Sequence, residues 1–192
     1  LKRGVWGSGL DTLLKELRAV IKEHGTHQFP AEKIENAMEL RGKSLKFGDV
    51  EIEELLDLTY GKARTFSLLS ILYPGLDYSK VFHVDHIYPR SKFRKVSLLD
   101  AGIPATEVSG LSAMADSIPN LQLLGGVANI EKQAMMPHDW LKSPYFTSLA
   151  AQQNYITDND LEYLPTSLSD FAAFVETRRK AMRTRLKFAL AE

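Results

Sequence analysis

Hydrophobic residues recur at helical spacing through the first part of the chain. A first stripe ends at Gly25, a residue type common at helix C-termini, and Ser8 stands where it would cap the N-terminus. The stripe consists of Leu10, Leu13, Leu14, Leu17 and Ile21. Further helices are predicted over residues 30–41, after Asp49, and over residues 62–73. This pattern predicts a helical platform.

The middle of the chain changes to strand-like patterning. Residues 81–85 and 120–124 are short β-prone runs, and each predicts a strand. Between them lies an insert, residues 88–117, with two weak helical patterns. A short helix is predicted over residues 128–135. The order strand, insert, strand, helix predicts a small ββα core.

A long helix is predicted from about Ser167 to the end of the chain. Its predicted buried stripe consists of Phe171, Phe174, Val175, Met182, Leu186 and Leu190. A neighbouring stripe carries Arg179, Arg183 and Lys187 at intervals of four residues. The last helix is therefore expected to bury one face and to present a basic one.

These elements predict an α+β fold that is mostly α-helical, with the small ββα core embedded between N-terminal and C-terminal helices. The expected division is a helical platform over residues 1–78, the core over residues 79–140, and a C-terminal helical segment over residues 141–192 that packs on the core.

Composition narrows the class of protein. The 192 residues are 44% hydrophobic and 25% charged, as in a soluble globular protein. No apolar run approaches the roughly 18 residues that span a bilayer, and no signal peptide is apparent. The chain contains no cysteine, which excludes disulfides and thiolate zinc sites and is consistent with the cytoplasm. Because it begins with Leu1, we expect a fragment of a longer protein.

The formal net charge of zero argues, taken alone, against nucleic-acid binding. The charges are nevertheless segregated. Arg90, Lys92 and Arg94 lie in a run without acidic residues, and residues 178–187 form a second such run. Runs of this kind are often only solvated helix faces, but they also permit a local basic surface.

Three side chains of the predicted core have the chemistry that phosphodiester hydrolysis needs. An attacking water must lose a proton, and the imidazole of His86 is suited to accept it near neutral pH. Charge on the leaving oxygen must be neutralised, and Asp85 and Asn129 offer oxygen ligands for a hard divalent cation. So thin an oxygen shell favours Mg²⁺ or Mn²⁺ over a closed zinc site.

Asp85 and His86 are adjacent, so in a regular strand their side chains would point to opposite faces. A site that uses both requires the chain to bend there, and Pro89 signals a loop just beyond. His83 lies two residues before Asp85 on the same predicted face. It is either an additional metal ligand or a histidine at the edge of the core.

Two sequence segments together resemble the HNH (ββα-metal) nucleases. The first is Asp85-His86-Ile87 followed by Pro89 and Ser91; the second is Asn120-Leu121 followed by Asn129-x-x-Lys132. The resemblance implies that His86 is the general base and that Asp85 and Asn129 bind the metal. It further implies that Asn120 buttresses the loop and that Lys132 approaches a phosphate or fixes the ligand.

A looser resemblance extends over most of the chain. Leu72-Tyr73-Pro74 and residues 123–137 are similar to the C-terminal nuclease domain of GmrSD-type restriction enzymes, which include SspE-type phosphorothioate-sensing proteins. The family implies an N-terminal NTPase or sensor domain, double-stranded DNA as substrate and defence against phage. Arg90, Lys92, Arg94 and the basic stripe of the last helix would then contact the DNA backbone.

The sequence departs from the HNH pattern at two places. Lys92-Phe93-Arg94 replaces the usual glycine pair, and Gly125-Gly126 stands where a zinc knuckle would have cysteines. These departures suit an HNH domain without zinc, which must hold its site by packing alone.

Other interpretations remain open at this point. Asp85 and His86 are compatible with an ion pair at a strand end, and Asn129 with a helix N-cap. At the level of function, the alternatives are a catalytically inert HNH-like module that binds DNA or a partner, an RNA-directed nuclease, and a purely structural helical adaptor.

Overall fold

The fold was analysed in a computed structural model that describes residue 5 and residues 7–191. The protein is 58% helical and contains a two-stranded antiparallel sheet, which confirms the predicted α+β class. Within the described residues, no helix combines the length and the apolar character needed to cross a membrane.

Ten α-helices are described, and those whose two limits were predicted begin and end within a few residues of the expectation; the helices over residues 137–141 and 149–158 were not predicted. They are α1 (Leu10–His24), α2 (Ala31–Glu39), α3 (Asp49–Leu56), α4 (Thr65–Leu72), α5 (Lys95–Asp100), α6 (Ala105–Met114), α7 (Gly126–Lys132), α8 (Pro137–Leu141), α9 (Leu149–Asp158) and α10 (Phe171–Ala191). Short 3₁₀ segments occupy Arg90–Phe93, Ile118–Asn120 and Leu168–Asp170. The two strands are β1 (Phe82–His86) and β2 (Leu121–Gly125).

The described chain forms two compact units, one ending at Glu51 and the other covering Ile52–Leu190. In the first unit α1 packs on α2 around a small apolar core of Val5, Leu13, Leu17, Ile34 and Met38. The predicted N-cap at Ser8 is wrong: Gly9 takes that position with φ 78°. The predicted domain limits at residues 78 and 140 differ from this division and stay a prediction.

In the second unit, β1 and β2 pair antiparallel, so that Asp85 stands opposite Gln122 and His86 opposite Leu121. Helix α7 starts directly after β2 and packs against both strands. The amide of Gly126 donates to the carbonyl of Val81 at 3.0 Å, which ties the start of α7 to the chain before β1. The predicted order of strand, insert, strand and helix is therefore present.

The main core of the second unit holds the insert against α10. Tyr88, just after β1, packs edge-on against Phe171 and Phe174, with ring centroids 5.3 and 4.9 Å away. Phe93 contacts Phe171 at 4.4 Å. Each of these buried rings contributes on the order of 2–3 kcal/mol through apolar burial. The insert is thus a packed part of the unit.

One position of the buried stripe of α10 is an arginine. Phe171, Phe174, Met182 and Leu186 are buried as predicted, and Arg178 lies among them with 1% exposure. Its guanidinium donates to the carbonyls of Pro119 and Leu121 at 2.7 Å and to that of Asn159 at 2.9 Å. Arg178 therefore anchors the beginning of β2 to α10.

Two residues of the basic stripe of α10, Arg179 and Arg183, pair with acidic residues of the same unit. Arg179 donates to Glu53 at 3.0 Å and to Asp57 at 2.7 Å, and Arg183 donates to Glu53 at 2.5 Å. These arginines lower the pKa of Glu53 from its ordinary value to about 2. Their charges are compensated inside the protein.

The low pKa of Glu53 makes part of the stability dependent on pH. A carboxyl whose pKa is depressed on folding stabilises the protein above its unfolded-state pKa, and this contribution is lost as pH falls through the folded-state value. We expect Glu53→Gln to lower the free energy of unfolding at pH 7 by about 0.5–1 kcal/mol, since the group is partly exposed and solvent screens it. The difference from the parent should shrink as pH falls from about 5 to about 2.

The measurement is urea unfolding followed by circular dichroism across this pH range. Glu54→Gln is the matched control, because Glu54 is an exposed neighbour on the same helix. A difference between parent and Glu53→Gln that stays constant with pH would contradict the assignment.

Candidate functional site

A cavity of about 460 Å³ lies beside β1 and α7. It is lined by Tyr60, Gly61, Lys62, Thr65, Phe66, His83, Val84, Asp85, His86 and Asn129. Four of these residues, His83, Asp85, His86 and Asn129, were singled out from the sequence as candidate ligands or base. The fold brings them to one place because α7 follows β2 directly and packs back against β1.

Asp85 and His86 line the same cavity but their side chains engage different partners. The carboxylate of Asp85 contacts Gln122 on β2 and Lys132 on α7, whereas the imidazole of His86 contacts Asp116 and the ring of Tyr60. His86 is the last residue of β1, where the chain leaves the sheet. The side chains of Asp85 and His86 therefore reach different partners, as expected for neighbours on a strand, although both residues line the same cavity.

Both hydrogen-bond donors that hold Asp85 reach the same oxygen. Lys132 Nζ lies 2.9 Å and Gln122 Nε2 lies 3.0 Å from Asp85 Oδ2. Gln122 is itself fixed, since Tyr155 donates its hydroxyl to Gln122 Oε1 at 2.5 Å. Neither donor occupies Oδ1, so this oxygen is left for a further ligand while the carboxylate is held in one orientation.

Lys132 is buried, with 1% of its side chain exposed. Besides the ion pair with Asp85, its ammonium donates to the carbonyl of His86 at 2.7 Å. Burial lowers the pKa of Lys132 from its ordinary value, and the charge of Asp85 opposes this shift. Of the two roles implied for Lys132, its position fits the fixing of a ligand, because a buried ammonium cannot approach a substrate phosphate.

The imidazole of His86 is held at one edge and on one face. Its Nε2 lies 2.8 Å from Asp116 Oδ1, and the Tyr60 ring packs on it with a centroid distance of 4.6 Å. The side chain is 12% exposed. His86 is therefore a nearly enclosed imidazole with access to the cavity that it lines.

Asn120 is completely buried and joins the two ends of the insert. Its Oδ1 accepts from the amide of Tyr88 at 2.9 Å, and its Nδ2 donates to the carbonyls of Tyr88 at 3.0 Å and Ala115 at 2.7 Å. The amide of Ile87 donates to its backbone carbonyl at 2.8 Å. Since Asn120 has no exposed surface, its position fits the buttress role and excludes direct contact with a substrate.

The described donors around the cavity fit a hard cation. The Asn129 side chain is half-buried, and within the described part of the chain no protein hydrogen bond engages it. Together with Asp85 Oδ1 it offers two oxygens at one cavity, and exposed His83 adds an imidazole. Among residues 5 and 7–191, no group of three His, Cys, Asp or Glu side chains is arranged to hold a metal, so a cation here would depend on the carboxamide and on water.

Basic residues of the insert lie close to Asp116, the residue that contacts the His86 imidazole. Arg90 Nη2 is 3.2 Å from Asp116 Oδ2, and Arg90 and Arg94 line a second cavity of about 460 Å³ that Asp116 also borders. Lys92 is exposed on the same 3₁₀ segment as Arg90.

The basic stripe of α10 differs from these residues. Arg179 and Arg183 are paired with acidic residues, and Lys187 is exposed further along α10. DNA contact by that stripe stays a prediction that these ion pairs do not favour.

Four residues of the site were not identified from the sequence: Tyr60, Lys62, Asp116 and Gln122. Gln122 had a detectable signal, because it is a polar residue inside an apolar strand opposite Asp85. Tyr60 and Lys62 come from a turn far from the motif in sequence, and Asp116 from the end of the insert. No local pattern marks these three.

The hydrogen bonds of Asn120 generate a direct prediction. Asn120→Ala leaves the buried amide of Tyr88 and the carbonyls of Tyr88 and Ala115 without these partners, so the free energy of unfolding should fall by about 2–4 kcal/mol. Asn129→Ala is the matched control and should change it by no more than about 0.5 kcal/mol. Urea unfolding without divalent metal measures both. Equal effects of the two substitutions would show that Asn120 does not close the insert.

Comparison with known proteins returned no matching family model and no matching curated protein.

Proposed function

We propose that this chain is an HNH-type, metal-dependent endonuclease domain that cleaves or nicks DNA by phosphodiester hydrolysis. The observation that carries the proposal is the shared cavity of Asp85, His86 and Asn129 beside an antiparallel strand pair and the helix that packs on it. Two oxygen ligands and one imidazole at a common cavity are the side chains that this hydrolysis needs.

Asp85 and Asn129 are the residues proposed to hold Mg²⁺ or Mn²⁺, with His83 as an additional ligand. The fit rests on Asp85, whose Oδ2 is fixed by Lys132 and Gln122 while Oδ1 takes part in neither bond. When bound, the cation supplies positive charge that stabilises the transition-state phosphate and the leaving oxygen. Lys132 keeps the carboxylate in position.

His86 is the proposed general base. Its imidazole takes a proton from the attacking water as the water oxygen forms a bond to phosphorus. The bond from phosphorus to the 3′-oxygen breaks, and that oxygen takes a proton from solvent water, so the products carry a 5′-phosphate and a 3′-hydroxyl. His86 then releases the proton that it accepted to solvent. Low exposure of His86 limits competition from bulk water at the imidazole.

Cations on the rim are proposed to hold the DNA backbone. Lys62 lines the cavity, and Arg90, Lys92 and Arg94 lie on the adjoining segment of the insert. Contacts of this type bind phosphate and carry no sequence information. Binding to double-stranded DNA should consequently be insensitive to sequence and weakened by salt.

The resemblance to GmrSD-type enzymes extends the proposal to a biological role. The domain would be the effector part of a larger cytoplasmic restriction protein that acts on foreign DNA, with an NTPase or sensor domain in the same protein. Asp85, His86 and Asn129, which carry the HNH resemblance, are also the residues that meet at the cavity.

The test is cleavage of supercoiled plasmid with Mg²⁺ or Mn²⁺ and with EDTA. The parent should convert plasmid to open-circular or linear DNA only with metal. His86→Ala and His86→Gln should lower the rate by about 10²-fold or more, because a general base contributes at least that much. Asn129→Ala should lower it by weakening metal binding, and excess Mn²⁺ should partly restore activity.

His27→Ala is the matched control, since His27 is an exposed histidine of the first unit. It should cleave like the parent, and circular dichroism should show that all variants are folded. Cleavage that persists in EDTA, or that survives both His86 substitutions, would contradict the mechanism. A parent that cleaves RNA but not duplex DNA would overturn the proposed substrate, and one that binds DNA without cleaving it would overturn the catalytic role.

A further inference from the structure

We propose that Asp116 is a positioning residue that fixes the proton of neutral His86 on Nε2 and so leaves Nδ1 as the basic nitrogen. The catalytic consequence rests on the proposed function. The placement of the proton does not, because it follows from the contacts of His86 itself.

The hydrogen bond between the two side chains sets the tautomer. His86 Nε2 and Asp116 Oδ1 are 2.8 Å apart, a normal length for a strong N–H to oxygen bond. An ionised carboxylate can only accept, so the proton of the bond must belong to Nε2. In the neutral ring the other nitrogen, Nδ1, then carries the free lone pair.

Asp116 is well placed for this role because its own position is fixed on both sides. Its Oδ2 lies 3.2 Å from Arg90 Nη2, so the carboxylate bridges the guanidinium and the imidazole. Its backbone carbonyl accepts from the amide of Tyr60 at 2.8 Å, and Ser117 forms an antiparallel bridge with Thr59. The contacts of Oδ1 with His86 and of Oδ2 with Arg90 together favour this orientation of the carboxylate.

The same backbone contact sets the face of the imidazole. Tyr60 donates its amide to Asp116 and packs its ring on His86 at a centroid distance of 4.6 Å. Asp116 thus fixes one edge of the imidazole while Tyr60 covers one face. Within the described residues, no protein hydrogen bond involves Nδ1.

This arrangement matters for the proposed reaction because only one tautomer has a base at Nδ1. When Nδ1 accepts the proton of the attacking water, the ring becomes an imidazolium, and the negative charge of Asp116 stabilises it. Without the carboxylate, the ring is free to carry its proton on Nδ1, and that population cannot act as the base there.

The tautomer is read directly by two-bond ¹H–¹⁵N correlation NMR of uniformly ¹⁵N-labelled protein at a pH where the His86 ring is neutral. Signals of His86 are assigned by their loss in His86→Gln. We expect the Nε2–H form in the parent and a mixture of tautomers in Asp116→Ala. The control Asp100→Ala, at an exposed aspartate of α5, should keep the Nε2–H form. An Nδ1–H form in the parent, or an unchanged tautomer in Asp116→Ala, would overturn the proposal.

Kinetics of plasmid cleavage supply the second readout. Asp116→Asn should lower kcat by about 10²-fold, because Asp116 acts on the base, whereas the change in KM through its partner Arg90 should be much smaller. Asp116→Glu, which retains the charge, should recover part of this loss. A change confined to KM would overturn the positioning role.

The two readouts separate the two proposals. NMR of the free protein decides the position of the proton whether or not the chain cleaves DNA. An inactive parent that has the Nε2–H tautomer, with a mixture of tautomers in Asp116→Ala, would support the placement by Asp116 and overturn the proposed function. An active nuclease in which the His86 tautomer is the same in the parent and in Asp116→Ala would support the proposed function and overturn this inference.

Discussion

The buried carboxamide of Asn120 is the interaction on which the site depends. Its bonds to Tyr88 and Ala115 close the insert at both ends, immediately beside His86 on one side and Asp116 on the other. Three neutral hydrogen bonds at a fully buried position contribute on the order of 2–4 kcal/mol when their loss leaves the partners unpaired. The larger consequence is geometric, because these bonds hold the two ends of the insert together, next to the His86 imidazole at one end and with the Asp116 carboxylate at the other.

The buried charged side chains Lys132 and Arg178 also hold other groups in position. A buried ion pair such as Asp85 with Lys132 adds little net stability, since the cost of removing both charges from water offsets their attraction. It does hold the Asp85 carboxylate at Oδ2, and Lys132 also binds the carbonyl of His86. Arg178 similarly holds the start of β2 by donating to the carbonyls of Pro119 and Leu121. A chain without cysteine thus orders this region by buried hydrogen bonds and aromatic packing, without a zinc knuckle.

Helices and strands with a clear hydrophobic period were predictable from the sequence. Contacts between residues that are distant in the sequence were not. Both strands are displaced by one residue from the predictions, partly because Asn120 belongs to a 3₁₀ segment instead of β2. Helix α9 was missed because none of its residues is fully buried, so it carries no apolar stripe. Arg178 was assigned to a basic run because an arginine among hydrophobic positions looks exposed until its distant carbonyl partners are known. Asp116 was not identified from the sequence for the same reason, since its partners Arg90 and His86 are remote in sequence. The catalytic candidates Asp85, His86 and Asn129 were found because the HNH resemblance placed them.

The most direct test of the central claim is a crystal structure of the His86→Ala protein bound to a DNA duplex and Mn²⁺, with the metal located by anomalous scattering. We expect one Mn²⁺ in coordination contact with Asp85 Oδ1 and the Asn129 carboxamide oxygen, with a backbone phosphate beside it in the cavity. Mn²⁺ bound without either residue, or DNA held away from this cavity, would rule out the proposed nuclease site.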